Sequence, residues 1–316
     1  VGTTTLNISQ ETIHEFQISA SSSDTSAGIS ATGAINVITK HVANQLHVGG
    51  FYFGRNNDFA ARPNFASTKP EFSRKQYGFS LGGPAIKDRL FWFGAYEKTD
   101  ENSAISINTP YFPQLTSFAA PFDENSSNVR VDWRVSQNHD AFLRWTRNEN
   151  SSLGGFGGNR LPSSGNINAN TTHQFVAGLD SVLTQRLTNA FRAAGADFKN
   201  RVLRPPAEAQ AIGIAGLENI RILTDDNLLN TGPDSITPQS TFERFYQFRD
   251  DLTLVGGRHT LRGGADVVRY RVTVLNFVNG FPQFNVVSPA TRNPADIGAQ
   301  TFINTTLGNK KGIRIP

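Results

Sequence analysis

Between residues 76 and 83 the large side chains Tyr77, Phe79 and Leu81 alternate with Gly78, Ser80 and Gly82. A period of two marks a β-strand with one apolar face. Residues 90–96 follow, apolar on both faces, with Phe91, Trp92, Phe93 and Tyr96. Pro84 and Asp88 bracket the segment between them, so the two runs predict a hairpin. The alternation recurs downstream. Val129, Val131, Trp133 and Val135 share one face, and Arg130, Asp132 and Arg134 the other. Phe175, Ala177 and Leu179 oppose Gln174, Gly178 and Asp180. Tyr246, Phe248, Leu252 and Leu254 oppose Gln247, Arg249, Asp251 and Thr253, with Asp250 interrupting the apolar side. Leu261, Gly263, Ala265 and Val267 oppose Thr260, Arg262 and Asp266. Residues 187–200 alternate too poorly for their faces to be assigned.

Strands are predicted on this basis at 46–54, 76–83, 89–98, 128–136, 140–147, 173–184, 187–200, 242–255, 258–275 and 301–307. No convincing amphipathic helix interrupts them, so the fold class is all-β. Their connections alternate in length. Those at 84–88, 137–139, 185–186 and 256–257 are tight, whereas 55–75, 99–127, 148–172, 201–241 and 276–300 are long. A regular short–long rhythm is the layout of a transmembrane antiparallel β-barrel, with tight turns on one side and large loops on the other. Structureless loops of that length also argue against a compact soluble domain. Strands of about ten residues with one apolar and one charged face suit a bilayer, because the charged face borders a wet or plugged lumen.

Composition narrows the chemistry. There is no Cys, which excludes a disulfide framework and Cys-ligated metal. There is no Met either, so the chain reads as part of a longer one. No apolar run approaches the length of a transmembrane helix. The net charge of +4 comes without a Lys/Arg cluster, so nucleic acid is not an expected partner. His14, His41, His47, His139, His173 and His259 show no ligand spacing, and no metal or other cofactor is expected. The GGFGG run at 154–158 lacks the Lys-Ser/Thr of a phosphate loop and reads as a flexible outer loop. The TDDN run at 224–227 lacks the alternating oxygens of a calcium loop and reads as a solvated loop. No nucleophile elbow or paired acid–base carboxylates stand out, so no enzyme is expected.

Three stretches together resemble a known family. They are GAINVITK at 33–40, NQLHVGGFYFGRN at 44–56 and RKQYGFSLGGPAIKDRLFWFGAYE at 74–97. They are similar to TonB-dependent outer-membrane receptors, the Oar-like group above all, and TFINTTLG at 301–308 is similar to a later strand of that group. The resemblance implies that residues 1–45 are the C-terminal part of a plug domain and residues 46–316 the N-terminal part of an outer-membrane β-barrel. About ten strands would be part of a barrel of roughly 22. Such a part alone is not expected to transport, since its open edges would be left unsatisfied in lipid. The implied function is energy-coupled uptake of a bulky substrate: siderophore-bound iron, an oligosaccharide or a peptide. The implied partners are outer-membrane lipid and TonB, the latter through a segment upstream. A surface adhesion or assembly barrel, and a soluble β-rich binding protein, are the alternatives.

The candidate residues follow from these patterns. Gly33, Asn36 and Lys40 are expected at the plug–barrel joint. Arg130, Asp132, Arg134, Arg144, Asp180, Arg249, Asp251, Arg262 and Asp266 are expected to face the lumen. Trp92, Phe93, Trp133 and Trp145 are expected in interfacial aromatic girdles.

Overall fold

A computed structural model describes residues 9–19, 34–40, 44–59, 61, 69, 71–276, 280–286 and 303–305. Nine long strands form a continuous antiparallel sheet. A short N-terminal hairpin precedes them, formed by β1 (Ile13–Ser19) and β2 (Ala34–Thr39). The sheet then runs through β3 (His47–Asn56), β4 (Phe72–Ile86) and β5 (Leu90–Ser106), whose outer end also pairs with the short β6 (Ser117–Ala119). It continues through β7 (Phe122–Ser136), β8 (His139–Gly154), β9 (Asn166–Thr184) and β10 (Leu187–Leu203). After a long excursion carrying β11 (Arg221–Thr224) and β12 (Asn230–Thr231), it ends with β13 (Gln239–Gly256) and β14 (His259–Asn276). Two further short strands, β15 (Gln283–Val286) and β16 (Ile303–Thr305), join β11 and β12 in a separate small sheet.

Every adjacent pair in the main sheet is next in sequence among the long strands, so the sheet is a simple meander. The tight turns are chemically determined. Asp88 and Gly257 adopt left-handed backbone conformations, with φ of 60° each, which Gly adopts without penalty and Asp tolerates. The turn expected from Pro84 onward begins later, because β4 extends to Ile86 through a bulge between Pro84 and Ile86. Pro84 is tolerated there because β3 pairs only as far as Gly82, leaving that part of the ladder one-sided.

The strands are much longer than the alternation alone indicates. β4 to β14 of the main sheet hold 15 to 19 residues each, or about 50–60 Å of extended chain. That exceeds an apolar band about 25 Å tall even when strands tilt by about 45°. The surplus lies on the side away from the tight turns. Here polar residues continue the ladder: Thr99 faces Glu124, and Asn148 faces Thr172.

Part of what was expected to be loop on that side is therefore strand, and the described connections between residues 107 and 238 are folded. Leu161 is fully buried in a cluster with Ile107 and Leu229, joined by Tyr111, Phe112 and Leu115. Leu153, Phe156 and Ala120 form a second cluster beside it. The GGFGG run is thus a packed turn rather than a flexible loop. Its Gly157 has φ of 120°, and a Cβ there would lie 2.6 Å from Ile105 Cγ2. Polar bonds complete the assembly. Arg160 pairs with Asp234 at 3.1 Å, and the Leu161 amide donates to the Asn230 carbonyl at 2.9 Å. In the TDDN turn, Asp226 accepts from the Tyr111 hydroxyl at 2.8 Å and from the Leu228 amide at 2.9 Å.

Candidate functional site

The pairing register assigns every main-sheet side chain to one of two faces, since directly paired residues share a face. One face carries Tyr77, Phe79 and Leu81 opposite Lys98, Tyr96 and Gly94, then Val129 and Val131, then Trp145 and Leu143, then Phe175 and Ala177. Many of these are exposed in spite of being apolar: Phe79 is 57% and Leu143 52% accessible. Among the described residues no core lies beyond them, so this face seeks an apolar surrounding. The unassigned strand β10 resolves here too. Phe191, Ala193 and Gly195 lie on the apolar face, and Arg192 with Ala194 and Ala196 on the other. Small Ala residues on both sides had hidden the alternation.

The opposite face is polar. Arg130, Asp132, Arg134, Arg144, Asp180, Arg249, Asp251, Arg262 and Asp266 all fall on it by register. They do not all meet. Arg130, Asp132, Arg134 and Asp180 line one cavity of about 520 Å³ near the tight turns, together with Asn44, Asp140, Phe142 and Arg192. Arg144, Arg249, Asp251, Arg262 and Asp266 stand outside it. Within the cavity, Asp132 accepts two bonds from Arg130, at 2.9 Å to Nε and 2.7 Å to Nη2. Asp180 accepts from Arg192 Nη2 at 2.8 Å. The Phe142 ring receives both guanidiniums, Arg130 at 4.6 Å and Arg192 at 5.3 Å from its centroid. Gly178 makes room for that ring, since a Cβ there would lie 2.2 Å from Phe142 Cε1. Paired cations and anions with an aromatic between them suit a polar surface or substrate; they do not form an acid–base pair.

The N-terminal segment packs on this same polar face. Glu97, only 9% accessible, accepts from Ser9 Oγ at 2.8 Å, the Gln10 amide at 3.0 Å and Gln76 Nε2 at 2.7 Å. Glu11 accepts from Ser80 Oγ at 2.9 Å and pairs with Lys40 at 3.2 Å. Arg130 Nη1 donates to Thr39 Oγ1 at 3.1 Å. The Lys40 amide closes the hairpin base by donating to Thr12 O at 2.7 Å. Small residues admit the segment: a Cβ on Gly49 would lie 2.8 Å from Ser80 Oγ and 3.0 Å from Glu11 Oε2. Of the expected joint residues, Lys40 therefore meets Glu11 of its own segment. Asn36 pairs with Gln17 in the β1–β2 ladder, and Gly33 lies outside the described residues. The attachment residues Ser80, Gln76 and Glu97 were not singled out in the sequence. Glu97 carried a faint signal, as a carboxylate on the face shared with Phe93 and Ala95.

The aromatic candidates divide by parity. Trp92, Trp133 and Trp145 lie on the apolar face. Phe93 does not: it lies on the polar face, 3% accessible, packed with Ala95 and Phe91. Consecutive strand residues point to opposite faces, so Trp92 and Phe93 cannot share a girdle. Among the histidines, His139 Nδ1 lies 2.8 Å from Ser181 Oγ, and His173 stacks on Trp145 at 6.3 Å. His41 lies outside the described residues. Among the described residues no group of three His, Asp or Glu is arranged to hold a metal.

An outer membrane beta barrel domain model matches residues 38–119 and 115–314. The chain belongs to that family. It is a β-strand protein of the bacterial outer membrane. Among solved structures, the outer-membrane transporter YddB from Escherichia coli matches with a TM-score of 0.59 and 12% identity, over 81% of this chain and 34% of that one. The siderophore receptor PirA from Acinetobacter baumannii matches with a TM-score of 0.56 and 13% identity, over 83% of this chain and 35% of that one. At such identities the likeness concerns the fold. The barrel chain described here spans about a third of the length of each. No curated protein sequence matches it.

Proposed function

We propose that this outer-membrane barrel chain is part of an energy-coupled transporter, with residues 1–45 ending a plug and residues 46–316 beginning the barrel wall. The observation that carries the reading is the docked N-terminal segment. Ser9 to Thr12 and Thr39 are held to the polar face by Glu97, Ser80 and Arg130. Those bonds are few and polar, so a pull on the segment can release it without disturbing the ladder of the wall. This is what a plug opened by TonB from the inner membrane needs. The siderophore receptor and transporter among the structural neighbours support uptake rather than catalysis. Siderophore-bound iron is the first substrate class to test, ahead of oligosaccharides and peptides.

The test is a reversible tether. Glu11 and Ser80 face each other at hydrogen-bond distance, and the chain has no Cys. The pair Glu11→Cys and Ser80→Cys in the whole protein gives a disulfide across the joint. Accumulation of radio-iron from a ferric siderophore is expected to require the proton-motive force, to stop when the tether is oxidised and to return on reduction. Uptake that persists with the tether closed contradicts the reading. Surface binding of ligand with no energised accumulation of any of the three classes points to the adhesion alternative.

A further inference from the structure

We propose that the apolar face of β10, β13 and β14 carries, at its upper rim, a binding site for the phosphate-bearing headgroup of a membrane lipid. Register places Lys199 and Arg201 of β10, Arg244 of β13 and Arg269 and Arg271 of β14 on that face. Below them, toward the tight turns, the face turns apolar through Tyr246, Phe248 and Val267. Arg269 lies twelve residues beyond Gly257. That is about 40 Å of strand, or nearly 30 Å of height at a tilt of about 45°, close to the thickness of the hydrocarbon layer. The cluster therefore stands at headgroup level, on the membrane side opposite the tight turns.

The site has form as well as position. A cavity of about 280 Å³ is lined by Lys199, Phe242, Arg244, Arg271 and Thr273 together with the carboxylates Asp197 and Glu243. Among the described residues at this rim of the apolar face, Asp197 is the carboxylate set against the five cations. It accepts from Arg244 Nη2 at 3.0 Å and lies 3.5 Å from Lys199 Nζ. Among the described residues, Arg269 and Arg271 have no ion-pair partner. Guanidinium forks bind phosphate oxygens in pairs, a Lys adds a mobile point charge, and Thr273 offers a hydroxyl. Charged side chains that face outward beside a lipid-facing band meet headgroups, so an anionic headgroup complements them.

Native mass spectrometry of the full chain in a neutral detergent tests this, with phosphatidylcholine or phosphatidic acid as the probe. The wild type is expected to retain phosphatidic acid over phosphatidylcholine by about tenfold or more. The triple variant K199Q/R269Q/R271Q is expected to lose that preference, while R186Q, at a tight turn, keeps it. Asp197→Asn removes the competing carboxylate and is expected to raise retention; it decides the matter should the triple variant fail to fold. Three results overturn the proposal. They are equal retention of the two lipids by wild type, an unchanged preference in the folded triple variant, and unchanged retention in Asp197→Asn. Displacement of the lipid by an equal concentration of inorganic phosphate overturns the lipid assignment in favour of a bare anion site. A dimer that the triple variant dissolves reassigns the patch to a second copy of the chain.

Discussion

Glu97 concentrates the argument at the scale of the residue. A carboxylate this buried requires donors, and its three come from two elements: Ser9 and Gln10 from the N-terminal segment, Gln76 from the main sheet. Glu97→Ala removes the acceptor and leaves Ser9 and the Gln10 amide without it, at a cost of about 1–3 kcal/mol. Amide exchange in residues 9–12 is expected to accelerate by about one to two orders of magnitude, with β8 and β9 unchanged. Unaltered exchange in residues 9–12 would show that the segment is held elsewhere. Gly178 makes the complementary case. Gly178→Val puts a branched side chain where Phe142 lies, and the ring must leave its place between Arg130 and Arg192. Thermal unfolding in detergent is expected to fall by an amount equivalent to about 1–3 kcal/mol. The parity that separates Trp92 from Phe93 was legible in the sequence, but residues 90–96 are apolar on both faces, so hydrophobicity alone could not say which aromatic faced inward.

The strands and loops divide by how much chemistry their patterns carry. Where Val, Trp or Phe alternates with Arg or Asp, as at 129–135 and 246–254, both the strand and its faces were legible. The outer halves of the same strands were not. At Thr99, Glu124, Asn148 and Thr172 both faces are polar, so no two-residue alternation of apolar and polar side chains marks the continued ladder. The loops were misread for a related reason. Their folded state depends on contacts between segments far apart, such as Leu161 with Ile107 and Leu229, which no local pattern reveals. Leu161→Ala is expected to cost the loop assembly about 2–5 kcal/mol. Limited proteolysis should then cut within residues 204–238 well before wild type is cut, while the barrel keeps its heat-resistant migration in gels. Equal resistance to protease would mean that the loops are held by the strands rather than by their own core.

At the scale of the whole molecule, the sheet has two faces of opposite character, and among the described residues the N-terminal segment docks on the polar one. The candidate lumen residues came from alternation and share a face by register; the docking residues Gln76 and Ser80 were invisible, and Glu97 only faintly marked, because a long-range hydrogen bond leaves no local periodicity. The central claim is that the apolar face meets lipid and the charged face meets water. With no native Cys in the chain, single cysteines at Asp140 through Trp145 can each carry a spin label in the full protein reconstituted into lipid vesicles. Labels at 141, 143 and 145 should be relaxed by oxygen dissolved in the bilayer, and labels at 140, 142 and 144 by a water-soluble nickel chelate, in strict alternation. Labels relaxed by the chelate at all six positions would contradict the account.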